Sequence, residues 1–309
     1  MTSPALFSTQ IAHIRHLYHI QCLRASNICI TFEKRGAFLN LWEGILLGIV
    51  QGLTEFLPVS SSGHLVLIQN HIPGFQQPGV LFDVMMHFGT LLAVLFFLRK
   101  EVSKLLISLV PSAWFRGSRN ETHMKTMRKV VFYIAAATAC TGSIGLLFEE
   151  RIHHLFTSPL TVSFALFFTG LLLFLSDRFQ GSRGDKDMNI TDSLIIGIVQ
   201  GIALIPGVSR SGATIAFGMF RGLDGTTAAR FSFLISIPAV LGALISESRY
   251  IQAVDPGNLG IYLAGMVSAA VTGFFTLGLL LFVIRKRKLG IFAYYCWILG
   301  ICTLIIQTI

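Results

Sequence analysis

The sequence predicts an all-α polytopic membrane protein, an inverted-topology repeat of six transmembrane helices and two re-entrant helical hairpins. Three observations predict it. Only 13% of the 309 residues are charged and 53% are hydrophobic. A soluble domain carries roughly 25% charged residues, so this chain lacks the charge to cover a water-facing surface, and lipid must solvate most of it. Six apolar runs reach spanning length, and two further apolar segments are broken by polar residues and are copies of each other.

Taken in chain order, residues 1–40 are mixed in polarity, and no uninterrupted apolar core precedes a small-residue cleavage site. They are read as a poorly ordered N-terminal extension rather than a signal peptide. His13, His16 and His19 recur every three residues there, but without an acidic or Cys partner nearby they are not expected to bind metal. The membrane domain then occupies 41–309, with one repeat over about 41–176 and a second over about 190–309. Spanning runs lie near 80–98, 130–148, 159–175, 229–246, 260–284 and 289–308, each at least about 17 residues, the minimum for a crossing. Segments 44–68 and 193–218 contain Pro, Gly, Ser and ionisable residues. Facing lipid, their freed backbone groups would go unsatisfied, so they are read as hairpins buried inside the protein.

The net charge of +9 is concentrated in short clusters such as Arg285-Lys286-Arg287-Lys288. That is the pattern of cytoplasmic loops, where positive charge sets orientation, and no nucleic-acid partner is expected. The basic loop at 99–129 (Arg99, Lys100, Lys104, Arg116, Arg119, Lys125, Arg128, Lys129) is placed inside. Counting spans from it puts every strongly basic loop on the same side. The first hairpin then opens outward and the second inward. Only Arg15, Arg24, Lys34 and Arg35 of the extension dissent. The five cysteines form no CxxC pair, which suggests neither a disulfide framework nor a zinc site.

Gly48-Ile49-Val50-Gln51-Gly52 recurs as Gly197-Ile198-Val199-Gln200-Gly201, a shift of 149 residues. The same ungapped shift lays Val59-Ser60 on Val208-Ser209, Ser62-Gly63 on Ser211-Gly212, and Phe82 on Phe231. Each half is thus a hairpin followed by three spans. Because three is odd, the halves enter the membrane with opposite topology. Repeats of this kind bring broken helices together near the midplane, where sites form.

In the first hairpin Gln51 and Glu55 are four residues apart and share one helix face. An ionised Glu55 in an apolar segment requires a partner or a cation, and oxygen ligands from Gln51 and Glu55 suit Mg²⁺ or Ca²⁺ better than a transition metal. Pro58 ends that helix. Ser60-Ser61-Ser62-Gly63 make a turn rich in hydroxyls and free amides, and His64 follows it, facing a carboxylate and able to move a proton near neutral pH. In the second hairpin, Pro206-Gly-Val-Ser209-Arg210-Ser-Gly-Ala-Thr214, Arg210 replaces Ser61 and Leu204 replaces Glu55. Arg210 can cradle a phosphate through its forked donors and nearby amides, and in the empty site it can pair with Glu55. Acid and guanidinium are divided between the halves, and together they supply the charge neutralisation and the nucleophile that phosphoryl transfer needs.

At these residues the chain resembles the undecaprenyl-diphosphate phosphatase family of the bacitracin-resistance (BacA/UppP) type. Two motifs carry the resemblance: the (E/Q)xxxE motif at Gln51–Glu55 running into PVSSSGH at Pro58–His64, and PGxSRSxxT at Pro206–Thr214. It covers about 41–309. Many members have Glu where this chain has Gln51, which leaves one charge fewer for a metal. The resemblance implies hydrolysis of undecaprenyl diphosphate to undecaprenyl phosphate in the bacterial plasma membrane, recycling the lipid carrier of cell-wall synthesis, with a divalent cation and a site facing outward. It implies that Glu55 and Gln51 bind the metal and that Ser209, Arg210 and Thr214, with Ser60 and Ser62, hold the diphosphate. Ser61 and His64 are the rival nucleophiles, with His64 otherwise the general base. The expected partners are the polyprenyl diphosphate, membrane lipids and a second copy of the chain in a homodimer. The competing expectation is a polyprenyl-phosphate flippase or small-solute transporter on the same inverted repeat.

Overall fold

A computed structural model of the protein describes residues 40–64, 67, 80–110, 121–148, 151–152, 155, 158–179, 181–247 and 259–308. The N-terminal extension, with His13, His16, His19, Cys22 and Cys29, lies outside the described residues. The helices are α1 (Leu41–Phe56), α2 (Val80–Phe97), α3 (Arg99–Ser108), α4 (Glu121–Leu147), α5 (Pro159–Ser176), α6 (Ile190–Ile202), α7 (Arg210–Phe220), α8 (Gly225–Glu247), α9 (Leu259–Arg285) and α10 (Gly290–Thr308). Among the described residues no strand forms; Arg183 and Leu223 make one isolated bridge.

The two hairpins start with the same device. The Asn40 side chain accepts from the Glu43 amide (2.9 Å) while the Glu43 carboxylate accepts from the Asn40 amide (2.8 Å). The positions 149 further on repeat it: Asn189 and Asp192 exchange the same pair of bonds at 3.0 Å each. Both are capping boxes, which satisfy helix amides that would otherwise lack partners. Asp192 carries a second load, because its buried carboxylate also accepts from Arg183 (2.6 Å) and from Arg221 (2.9 Å). This ties the 181–192 segment to the end of α7. Asp177 plays a similar part across the chain, accepting from the Leu289 and Gly290 amides at the start of α10.

Small residues decide which helices touch. α1 packs on α9, α6 on α4, and α5 on α10. A methyl carbon added at Gly52 would stand 2.6 Å from the Ala269 carbonyl, and one at Gly197 would stand 2.6 Å from the Ala137 Cα. Backbones this close are the packing mode of helices in lipid, where apolar burial gives no drive for association. The polarity runs inside out accordingly. Ser163, Thr169, Ser176, Ser193 and Thr214 are buried, while Phe96, Phe164, Phe275 and Phe282 are exposed. The protein is embedded in a membrane. Three helices, Met124–Leu147, Gly225–Ser246 and Leu259–Arg285, are long and apolar enough to cross one by length and composition. The bent pair α2–α3 adds a fourth if it is one span, and Leu160–Ser176 and Gly290–Ile306 are shorter apolar helices.

The stretch 99–129, read above as a loop, is partly helical. The chain bends by 79° at Leu98 and continues as α3. Arg99, Lys100 and Glu101 end the apolar run, so the helix axis turns where the charges begin, and Leu105 and Ser108 become buried. Arg128 of α4 then donates to the carbonyls of Ser108 (2.7 Å) and Val110 (2.6 Å), satisfying acceptors at the helix end that have no partner within it.

Candidate active site

Both hairpins break where the sequence places Pro58 and Pro206, and the two breaks meet. Ser60 closes the first turn in the left-handed region (φ 68°), and Gly207 opens the second at φ 94°. A methyl carbon at Gly63 would stand 3.3 Å from Gly207 Cα, and one at Gly212 would stand 3.0 Å from Pro58 Cβ. Under the 149-residue shift, Gly63 corresponds to Gly212 and Pro58 to Gly207. The two approaches are therefore one pair of positions, used in both directions. The wall behind them is paired likewise: the Cys296 thiol donates to the Pro58 carbonyl (3.6 Å) and the Thr169 hydroxyl to the Gly207 carbonyl (3.1 Å).

Glu55 stands at the centre. Its Oε1 accepts from Arg210 Nη2 (2.5 Å), and its Oε2 accepts from the Ser61 hydroxyl (2.8 Å) and from Gln51 Nε2 (3.0 Å). Burying a carboxylate is costly unless it is paired and hydrogen-bonded, and this one has a guanidinium and two neutral donors. The Gln51–Glu55 bond is the i, i+4 contact expected from their spacing. The Arg210–Glu55 pair joins the two hairpins across 155 residues of chain.

The remaining expected residues fall into two groups. Ser61 and Arg210 reach Glu55, whereas most of the other hydroxyls are engaged in holding the turns. Ser60 Oγ accepts from the Gly63 amide (3.2 Å), and Ser209 Oγ accepts from the Gly212 amide (3.1 Å) as the N-cap of α7. Ser62 Oγ lies 3.3 Å from Ser60 Oγ. Thr214 is fully buried, donating to the Arg210 carbonyl (2.8 Å) and lying 2.6 Å from Ser232 Oγ. Its hydroxyl steadies the backbone that carries Arg210.

His64 differs from its expected position. Among the described residues it makes no bond to Glu55. Its Nδ1 lies 2.7 Å from the Ser60 carbonyl and its Nε2 lies 2.6 Å from the Tyr295 hydroxyl. The left-handed Ser60 precedes a helical turn, which brings His64 back over that carbonyl. The imidazole beside the acid is instead His87 of α2, with Nδ1 3.9 Å from Glu55 Oε2 and 3.3 Å from Gln51 Nε2. An ionisable residue inside an apolar span is a signal for function, and that signal was available at His87. Tyr295 gave none, since a Tyr in a span also suits the membrane interface.

The donor set can be compared with the expected cation. Among the described residues no group of three or more His, Cys, Asp and Glu is assembled, so a cage made wholly of protein ligands is not built. One carboxylate and the carboxamide oxygen of Gln51, which makes no hydrogen bond among the described residues, fit a hard ion. Mg²⁺ commonly takes one or two protein oxygens together with water and substrate phosphates.

Comparison with known proteins places this geometry. Residues 44–302 match the model of the family described as bacitracin resistance protein BacA. The chain is similar to the undecaprenyl-diphosphatase of Syntrophotalea carbinolica, 43% identical over 263 residues, covering 85% of this chain and 97% of that one. It is 40% identical to the undecaprenyl-diphosphatase of Methanobrevibacter smithii over 268 residues (85% and 96% covered). It is 39% identical to that of Halothermothrix orenii over 276 residues (88% and 100% covered).

Proposed function

The chain belongs to the bacitracin resistance protein BacA family, and we propose that it hydrolyses undecaprenyl diphosphate to undecaprenyl phosphate and inorganic phosphate. This recycles the lipid carrier of cell-wall synthesis and underlies resistance to bacitracin. The observation that carries the reading is the line Arg210–Glu55–Ser61, a guanidinium and a hydroxyl on the two oxygens of one buried carboxylate.

Of the two candidate nucleophiles, Ser61 is the one bonded to a carboxylate, which makes Glu55 the acceptor of its proton. Ser61 Oγ attacks the terminal phosphorus while its hydrogen passes to Glu55 Oε2. The bond from that phosphorus to the bridging oxygen breaks, and the electron pair leaves with undecaprenyl phosphate. Water then hydrolyses the phosphoserine, releasing phosphate and restoring the hydroxyl, with His64 as general base. Arg210, with further guanidinium donors beyond the one on Glu55, holds the charge that builds on the phosphate oxygens. Ser209, Ser60, Ser62 and Thr214 shape the cradle by fixing the two turns. Glu55 and Gln51 would hold the divalent cation, Mg²⁺ or Ca²⁺, which when bound neutralises diphosphate charge.

In this reading α2, α4, α5, α8, α9 and α10 cross the plasma membrane, and the hairpins enter it from opposite faces, the first from outside. Support comes from the basic loops sharing one side, the repeated capping boxes and the reciprocal contact of the two tips. A carrier built on the same repeat would have no need of an acid on one tip and a guanidinium on the other.

Purified protein in detergent, given a polyprenyl diphosphate, should release phosphate. A chelator should cut the rate at least about tenfold, and added Mg²⁺ or Ca²⁺ should restore it. No release by the wild type, or full activity in both Glu55→Ala and Arg210→Ala, refutes the reading.

A further inference from the structure

Among the described residues Tyr295, on α10, hydrogen-bonds and stacks with His64 and with no other group assigned above. The two rings are nearly parallel, 8° apart in plane with centroids 5.7 Å apart, and Nε2 meets the phenol oxygen at 2.6 Å. The other ring nitrogen fixes the sense of that bond. A carbonyl can only accept, so the 2.7 Å contact to the Ser60 oxygen places the hydrogen on Nδ1. In the neutral ring Nε2 is then the lone pair, and Tyr295 donates to it.

The backbone is shaped to this end. Ser60 occupies a left-handed conformation (φ 68°), and its carbonyl accepts both the His64 amide (3.2 Å) and the His64 ring. Such conformations persist where the surroundings impose them, commonly at active sites.

The other half of the molecule supplies an internal control. At the 149-residue shift, His64 corresponds to Ala213. The Cys296 thiol and the Thr169 hydroxyl bond corresponding carbonyls, those of Pro58 and Gly207. The residue before Cys296 is Tyr295, and the residue before Thr169 is Phe168. The half without the imidazole has an aromatic ring of the same kind without its hydroxyl. The ring suits the scaffold in both halves, and the hydroxyl goes with the histidine.

We propose that Tyr295 is a positioning residue of the phosphatase reaction, fixing the plane of the His64 imidazole and the direction of its basic nitrogen Nε2 while the Ser60 carbonyl sets the Nδ1–H tautomer. It acts through His64 and touches neither Glu55 nor Arg210 among the described residues. The phenol hydrogen turns away about its C–O bond to free the Nε2 lone pair for the proton of water, and the same oxygen then accepts from Nε2–H. It therefore partners both protonation states of the base.

This inference rests on the phosphatase reading, and the test separates the two. Tyr295→Phe keeps the ring and removes only the hydroxyl. Turnover should fall about tenfold, the rate equivalent of one hydrogen bond, with the KM for a polyprenyl diphosphate within twofold of wild type. In a His64→Ala background the same substitution should cause no further loss. The ¹⁵N signals of His64 should show the Nδ1–H tautomer in both proteins, with the Nε2 signal moved in Tyr295→Phe by loss of the phenol hydrogen bond. An active wild type with Tyr295→Phe turnover within twofold of it overturns the inference alone. So does an equal further loss in the His64→Ala background, or an Nε2 signal unmoved by the substitution. A wild type that releases no phosphate overturns the phosphatase reading and this inference with it.

Discussion

The tip of the first hairpin and the tip of the second share their turn contacts and differ in backbone at Ser60 and Ser209 (φ 68° and −71°) and in what they carry. In each, a serine hydroxyl takes the amide three residues on, and a glycine faces the opposite turn. On that common frame, Glu55, Ser61 and His64 stand where the second tip has Leu204, Arg210 and Ala213. One position kept its residue and still changed its role. Gln51 bridges Glu55 and His87 at the site, whereas its counterpart Gln200 is buried, donates to Thr141 Oγ1 (3.1 Å), and leaves its Oε1 without a partner among the described residues. The difference teaches that the turn residues encode the scaffold, and that the chemistry is set by what faces each side chain.

The sharpest way to break this comparison is to remove its charges. Glu55→Ala and Arg210→Ala should each lower phosphate release at least about 10³-fold, as loss of a charged stabilising group in a desolvated site does. Each should also destabilise the protein by about 3–5 kcal/mol by leaving a buried charge unpaired. The double variant should be more stable in thermal unfolding than the sum of the single losses. Additive losses would show that the two hairpins are not coupled through this pair.

Ser61→Ala should lower turnover about 10²–10⁴-fold with little change in stability, while Ser62→Ala should stay within about threefold of wild type, the effect of losing a weak neutral contact. Comparable losses in both would move the nucleophile away from Ser61. The scaffold is tested at Gly207. There alanine would meet a positive φ and stand 2.7 Å from Ala165 Cβ, costing about 2–4 kcal/mol in unfolding free energy. A neutral Gly207→Ala would mean that the second turn relaxes freely.

The smallest effect separates the two glutamines. Gln51→Leu should reduce turnover about tenfold, the equivalent of one hydrogen bond at the site. Gln200→Leu should leave turnover unchanged and alter stability by under about 1.5 kcal/mol, since it removes an acceptor that has no partner. Equal losses of activity would mean that both halves contribute to catalysis.

Much of this site was legible because its signals are local. The interrupted apolar segments, the fixed 149-residue shift, and the spacing of Gln51 and Glu55 are properties of the chain itself. What was not legible depends on which helix packs against which. His87 reaches Glu55 because α2 lies against α1, and Tyr295 reaches His64 from α10; neither contact has any trace in periodicity. The hydroxyls illustrate a different gap. A run of serines signals polar chemistry, but whether each oxygen faces substrate or caps its own turn depends on how the turn is folded. Ser60, at φ 68°, is a turn-builder beside a reactive neighbour. The bend at Leu98 was hidden because a helix that turns at the membrane edge and a loop that begins there share the same basic residues.

The reciprocal contact of the tips has a mechanical consequence. Gly63 rests on Gly207 just as Gly212 rests on Pro58, so each turn braces the other at two points. Prying one contact apart strains the other, and the work of opening is done twice. The pair behaves as a closed vise rather than a gate.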